Sequence, residues 1–322
     1  MKKKILITGF AGFVARNFIE FAIKYDLDLQ IWGIDINPPK FSLEIYKEKM
    51  EIHFKQIDLL NQKELREFLE KVAPDYILHL ASFSSVAYSW KNPGSSFVNN
   101  TNIFLNLILS VHELPIRPRI LSVGSSEEYG KYSEKDMPLR EEYSLHPCSP
   151  YAVARVSQEM LSQVFAKDYG LDIILTRSFN HIGPWQDSRF VVASFIEKVL
   201  AIKRNGKNQG IVEVGDLSIV RDFVDVRDVV RAYWMLIQRG RSGEVYNVCS
   251  GRGVKLEGIL RDIGDIAGVQ VTGKTVEQYL RPDDNKVVIG SYQKIDKELG
   301  WKPEIELRKT LRDMIFDRRG RM

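Results

Sequence analysis

The sequence predicts an α/β protein: a doubly wound parallel sheet followed by a smaller, mixed α/β unit. Three observations predict it. Five short, almost continuously apolar runs recur through the first 179 residues. Helical patterns separate them, and a glycine-spaced turn follows the first run.

The apolar runs are KKILITG, LQIWGIDI, PDYILHLA, PRILSVGS and LDIILTRS. A parallel strand covered on both faces has no side to show to water, so it reads as a run and not as an alternation. Between the runs lie helical stretches such as QKELREFLEKV, Gln62 to Val72, and SFVNNTNIFLNLILSVHE, Ser96 to Glu113. SPYAVARVSQEM, Ser149 to Met160, reads as a turn feeding another helix. Strand and helix in alternation, joined by right-handed crossovers, place helices on both faces of one sheet. After about Asn180 the rhythm loosens into the loop NHIGPWQDSR, the helix FVVASFIEKVLAIKR and the strand GIVEVGD. VRDFVDVRDVVRAYWMLIQRG then reads as a turn and a second helix, and RPDDN, Arg281 to Asn285, as a loop.

Composition narrows the class. A chain of 322 residues, 44% hydrophobic and 27% charged, can bury a sizeable core and is not disordered. Its net charge of +4 comes from interleaved charges with no basic, aromatic-laced stripe, so nucleic acid is not an expected partner. Cys148 and Cys249 lie far apart outside any CxxC spacing, which fits a reducing cytoplasm. The start, MKKKILITGFAGFVA, carries Thr8, Gly9, Gly12 and Ala15 and runs into a helix with Asn17 and Glu20, so it reads as a buried strand and not a signal peptide. No apolar run approaches membrane-spanning length, and no membrane partner is expected. His53, His79, His112, His146 and His181 stand singly, so no metal is expected.

In ITGFAGFVARNF the first strand ends at Thr8, glycines follow at Gly9 and Gly12, and small Ala15 opens a helix. The first glycine permits a tight turn, the second lets a pyrophosphate approach the backbone, and the small residue lets helix pack on strand. A helix N-terminus then offers N–H groups and a positive dipole end to phosphate. Asp35, 26 residues after Gly9, ends the next strand and suits the adenosine ribose hydroxyls. Its charge would repel a 2′-phosphate, so NADH or NADPH is the expected cofactor and Asp35 favours NAD; the alternative role for Asp35 is to cap the turn before Asn37. The expected division is a Rossmann domain over residues 1–179 and a substrate-binding domain over residues 180–322, with the chain crossing between the two.

These residues, with IDL at Asp58 and Leu59, HLAS at His79 to Ser82, VGSSEEYG at Val123 to Gly130, PYAVAR at Pro150 to Arg155 and RSFNHIGP at Arg177 to Pro184, resemble the extended short-chain dehydrogenase/reductase family over nearly the whole chain. The resemblance implies cofactor contacts from Thr8, Gly9, Ala11, Gly12, Phe13, Val14 and Asp35. It places Asp58 and Leu59 near the adenine and Leu80, Ala81 and Ser82 near the ribose and phosphates, and it adds Asn100, Tyr151 and Arg155. The family's catalytic set is a Ser or Thr, a Tyr, and a Lys four residues after it; Ser125 and Tyr151 match the first two. At the third position this sequence has Arg155, and none of its 13 tyrosines is followed by Lys at that spacing. A cation near a phenol favours the ionised form, so Arg155 can replace the lysine electrostatically. It cannot relay a proton, because a guanidinium stays protonated. Tyr151 is therefore expected to act as general acid, with Ser125 holding the carbonyl oxygen.

FNHIGPWQ, VGDLSIVRDFVDVRDVVRAY and RPDDN resemble the nucleotide-sugar members of that family, most closely the GDP-4-keto-6-deoxy-D-mannose reductases, which make GDP-D-rhamnose. Ser84, Ser126, Asn180, Arg221 and Arg281 are the substrate contacts so implied, and the partner is a GDP-sugar. Two arginines suit a diphosphate; alternatively each is an ion-pair residue, Arg221 with Asp222 and Arg281 with Asp283. Glu127 matches the glutamate of sugar-nucleotide 4,6-dehydratases, which leaves a dehydratase or an epimerase as alternatives. A cofactor-sensing regulator without turnover is the non-enzyme alternative. The helix after Tyr151 carries Val153, Val156, Met160, Val164 and Phe165; part of this stripe is expected in the core, and the resemblance implies a homodimer through this helix.

Overall fold

The computed structural model describes residues 2–280 and 285–320. The strands are β1 (Lys3–Thr8), β2 (Leu29–Asp35), β3 (Glu51–Gln56), β4 (Tyr76–His79), β5 (Arg119–Ser125), β6 (Ile173–Ser178), β7 (Asn180–Ile182), β8 (Gln209–Val214), β9 (Val220–Asp225), β10 (Val245–Val248), β11 (Gly253–Lys255), β12 (Gln270–Thr275) and β13 (Val287–Val288). The helices are α1 (Phe13–Lys24), α2 (Glu44–Lys47), α3 (Gln62–Val72), α4 (Val86–Lys91), α5 (Pro93–Glu113), α6 (Pro150–Lys167), α7 (Val191–Arg204), α8 (Val226–Arg239), α9 (Leu256–Ala267), α10 (Gln293–Leu299) and α11 (Leu307–Gly320).

The main sheet has seven strands in the order β10-β6-β5-β4-β1-β2-β3, all parallel. Its contiguous middle, β6-β5-β4-β1-β2, comprises the five apolar runs of the sequence. The two strands at its edges leave a weaker trace. β3, EIHFKQ, is partly solvated, and β10, VYNV, is four residues long with a tyrosine and an asparagine at its centre. β10 lies beyond residue 180 and still pairs with β6, so the late part of the chain returns to complete the sheet.

One sequence expectation is corrected here. VRDFVD is a strand, β9, and not a turn; it pairs with β7, β11 and β13. Asp222 in its middle made it look like a turn. That carboxylate is fully buried and accepts from Ser250 N (2.7 Å), Gly251 N (2.9 Å) and Gly290 N (3.2 Å), so an acid sits inside the strand because donors surround it.

Apolar side chains seal both faces of the sheet. On one, α1 and α8 bring Phe18, Ile19, Val229 and Leu236; on the other, α3, α5 and α6 bring Leu69, Phe104, Leu107 and Phe165. A third cluster joins α7, α9 and α11 through Phe195, Ile196, Ile263 and Leu311. Helix starts follow local chemistry: Asn61 caps α3, Pro93 occupies the first turn of α5, and Ser149 Oγ accepts from Ala152 N (3.1 Å) to begin α6 beside Tyr151. The strand order reverses between β1 and β4, which opens a crevice at their carboxyl ends where ligands of such sheets bind.

Candidate active site

The turn after β1 is built for close approach. Gly9 has φ of +69°, and a Cβ there would stand 2.8 Å from Ala81 N, so geometry and space both exclude a side chain. Gly12 begins α1 with no side-chain cap, which leaves the positive end of the helix to an anion. Asp35 Oδ2 accepts from Ala11 N (3.0 Å) and its Oδ1 from Asn37 N (2.9 Å). The carboxylate therefore shapes the glycine loop and also caps its own turn. A glycine-lined cradle, an open helix start and an acid at the end of β2 fit a dinucleotide.

Around this turn lies a cleft of roughly 2500 Å³. Of the expected cofactor residues, Gly9, Ala11, Gly12, Phe13, Val14, Asp35, Asp58, Leu59, Leu80, Ala81 and Ser82 line it. Ser84, Ser126 and Asn180 line it too, as do Ser125, Glu127, Tyr151 and Arg155. Thr8 and Asn100 stand behind the wall, both buried. Thr8 Oγ1 bonds His79 Nδ1 (2.9 Å) and accepts from Ala81 N (3.1 Å). Asn100 accepts from Phe83 N (2.7 Å) and donates to Phe83 O (3.3 Å). These two hold the segment after β4 in shape. Arg221, on β9, is not on the wall; it donates to the carbonyls of Val220 (3.0 Å) and Asn285 (2.7 Å). Arg281 lies outside the described residues.

Ser125 and Tyr151 reach the cleft from different elements. Ser125 ends β5 and caps the short turn Ser126–Tyr129, with its Oγ accepting from Glu127 N (3.2 Å). The cap uses the oxygen as acceptor and leaves the O–H to donate. Tyr151 sits in the first turn of α6. Arg155, one turn on, donates through Nε to Tyr151 Oη (3.2 Å) and through Nη1 to Val123 O (3.1 Å) and Gln158 Oε1 (2.6 Å). Gln158 in turn donates to Ser122 Oγ (2.9 Å). The guanidinium is thus pinned from β5 and α6 with one N–H on the phenol. His79, behind Thr8, is pushed down to about 3 by burial and secondarily by the Arg155 charge, so it stays neutral.

The sequence reading missed two groups at this site. On α6, Gln158, Glu159 and Ser162 are buried alongside the expected Tyr151 and Arg155 and the apolar Ala152, Ala154 and Phe165, whereas Val153, Met160 and Val164 are exposed. Of the apolar stripe, Phe165 alone is fully in the core and Val156 is half-buried. The polar set recurs at helical spacing, which was the available signal. The second is Arg16, whose guanidinium stacks 3.9 Å from the Trp185 ring centre and 5.0 Å from that of Phe41 on the cleft wall. Trp185 holds φ of +68°, and its backbone N–H donates to Asp317 Oδ2 (3.1 Å). No local pattern links residues so far apart.

Among the described residues no cluster of metal-binding side chains is present, and no helix is long and apolar enough to cross a membrane. The chain belongs to the GDP-mannose 4,6 dehydratase family, whose model matches residues 6–314. It is 30% identical to a GDP-6-deoxy-D-mannose reductase of Pseudomonas aeruginosa, over 100% of this chain and 99% of that one. It is 27% identical to a GDP-mannose 4,6-dehydratase of Vibrio cholerae, over 98% and 94%. The solved structure of RMD from Pseudomonas aeruginosa complexed with NADPH superposes with a TM-score of 0.86 at 29% identity, covering 99% of this chain and 100% of that one.

Proposed function

From membership of this nucleotide-sugar enzyme family, we propose that the chain is an NAD(P)H-dependent reductase that converts the C4 carbonyl of GDP-4-keto-6-deoxy-D-mannose to the alcohol of GDP-D-rhamnose. The observation that carries this reading is the convergence of Ser125, Tyr151 and Arg155 on one cleft, in a chain that resembles a GDP-6-deoxy-D-mannose reductase along its full length.

When bound, NAD(P)H supplies a hydride to the carbonyl carbon. Gly9, Ala11, Gly12, Phe13 and Val14 would hold its pyrophosphate, Asp35 its adenosine ribose, Asp58 and Leu59 its adenine, and Leu80, Ala81 and Ser82 the remainder of its wall. Tyr151 Oη donates its proton to the substrate oxygen while the Ser125 O–H holds that oxygen by hydrogen bond. The phenolate left behind faces the Arg155 Nε–H, which stands 3.2 Å away. Arg155 does not relay the proton, so the phenol is restored from the solvent side of the cleft. Ser84, Ser126 and Asn180 contact the sugar nucleotide, and Arg221, whose Nη1 is held by the Val220 and Asn285 carbonyls, is the proposed diphosphate contact on β9.

A second reading rests on Glu127. It lines the cleft two residues from Ser125, where a carboxylate could remove water from a 4-keto sugar. The test is nicotinamide absorbance with NADPH or NADH and GDP-4-keto-6-deoxy-D-mannose. Stoichiometric loss of reduced cofactor, abolished by Tyr151→Phe, supports the reductase. Formation of the 4-keto sugar from GDP-mannose by this protein alone would replace it with the dehydratase.

A second copy of the chain is the proposed partner. α4, α5 and α6 expose Trp90, Phe97, Val153, Met160 and Val164 on helices that pack together, an apolar face that a homodimer would cover.

A further inference from the structure

Directly below Ser125 lies a buried acid that the catalytic assignment leaves unused. Glu128 is 0% exposed, on the turn that Ser125 caps. Its Oε1 accepts from the Ser125 backbone N–H at 2.6 Å. Its Oε2 finds no donor among the described residues, and the neighbouring side chain that acts on the Glu128 carboxyl by charge and hydrogen bond is Glu159. Glu159 is already committed: both its oxygens face Arg177, with Nε at 2.9 Å and Nη2 at 2.8 Å, in a pair almost wholly removed from water. Arg177 also donates to the Glu141 carbonyl (3.0 Å) and lies 4.7 Å from the Tyr129 ring centre. The guanidinium is therefore committed to Glu159 and leaves the Glu128 Oε2 without a donor.

Two neighbouring buried carboxyl groups can share a hydrogen bond only when one carries a proton. Arg177 grips Glu159 with two N–H groups, so Glu128 is the one to keep the proton. Burial raises the Glu128 carboxyl well above its ordinary range, and the charge of Glu159 raises it further, against the lowering effect of the Ser125 N–H and Arg177. The backbone beside it is shaped for this acid. A Cβ on Gly124 would stand 2.4 Å from Glu128 Oε1 and 2.5 Å from Thr176 O, so the end of β5 lacks a side chain where the carboxyl enters.

We propose that Glu128 is a neutral carboxylic acid that positions Ser125: its Oε1 accepts the Ser125 N–H and its Oε2–H donates to the Glu159 carboxylate. The proposal rests on the reading of Ser125 as the hydroxyl that holds the substrate oxygen. The acid touches no reacting atom. It ties the end of β5 to the Glu159–Arg177 pair of α6 and β6, so the Ser125 hydroxyl and Tyr151, also on α6, keep one relative placement. An ionised Glu128 would repel Glu159 and pull the Ser125 backbone with it.

The test combines infrared spectroscopy with steady-state kinetics on the full chain. At pH 8 the wild type should show a carboxylic acid carbonyl band that shifts in D2O and is absent from Glu128→Gln. Glu128→Ala should lower kcat about tenfold, the equivalent of one lost hydrogen bond, with the KM for NADPH unchanged. Glu128→Gln, which can accept from Ser125 and donate to Glu159, should recover most of that loss. No such band in the wild type, a band undiminished in Glu128→Gln, or an unchanged kcat in Glu128→Ala would each overturn the proposal. The wild-type spectrum needs no variant to fold. Turnover without the band removes the acid and leaves the reductase reading. A band lost in Glu128→Gln in a protein that consumes no NADPH removes that reading and keeps the acid, and the kinetic comparison then moves to the reaction the wild type does catalyse.

Discussion

Arg155 donates its Nε–H to Tyr151 Oη at 3.2 Å while its Nη1 is held by Val123 O and Gln158 Oε1. The guanidinium is a fixed cation beside the phenol, anchored on a strand and on its own helix. Replacing it with alanine removes the charge and the anchor together. Arg155→Ala is expected to lower kcat by about 10²-fold or more, within the range typical of lost acid–base assistance. Arg155→Lys should restore much of the rate, because an ammonium four residues after the tyrosine serves the same electrostatic purpose. Steady-state kinetics on both variants checks this; equal losses would show that the anchor matters more than the charge.

Gly9 cannot accept a side chain without strain. Gly9→Ala imposes φ of +69° on alanine and drives its Cβ against the Ala81 backbone. A cost of at least about 1–2 kcal/mol follows from the left-handed conformation alone. The expected result is a lower melting temperature and loss of the stabilisation that added NADPH gives the wild type, read by calorimetry with and without cofactor.

The buried histidines set a pH dependence of stability. Burial pushes His79 down to about 3 and His181 to about 4, whereas an unfolded histidine titrates near ~6.5. Below about pH 6.5 the unfolded chain binds more protons than the folded one, so this contribution falls as pH falls towards those values. At pH 5.5 each histidine costs on the order of 1 kcal/mol relative to neutral pH or above. Asp222, raised to about 6 by burial, and Glu128, raised well above its ordinary range, act in the opposite sense, so the histidines are one share of the change and do not fix its sign. Urea midpoints at pH 7.5 and 5.5 for the wild type and His181→Gln isolate the histidine share; the change on acidification should be more favourable in the variant than in the wild type.

Met160 is 45% exposed on the open face of α6, with Val153 and Val164 near it. Met160→Glu places a charge there without touching the buried side of the helix, where Arg155 and Glu159 lie. A homodimer should dissociate in this variant, and light scattering would report a monomer. An unchanged mass, dimeric or monomeric in both proteins, would remove that face from the interface.

Some of this protein was determined by its sequence taken alone. The five central strands were legible because each is buried on both sides and so must be apolar throughout. The glycine turn was legible because only glycine tolerates the fold of residue 9. Ser125, Tyr151 and Arg155 were singled out through the resemblance of VGSSEEYG and PYAVAR to a known family, and α3 was legible as an amphipathic pattern with a cap. The edge strands β3 and β10 and the strand around Asp222 were not, since partial exposure, shortness and a buried acid each erase the apolar run. Tertiary structure alone decided that Thr8 and Asn100 stand behind the cleft wall, that Arg16 lies between Phe41 and Trp185, and that Glu128 meets Glu159. The physical reason is that a polar side chain can be buried only where partners from other elements satisfy it. Those partners lie tens to hundreds of residues away, and no local pattern records them.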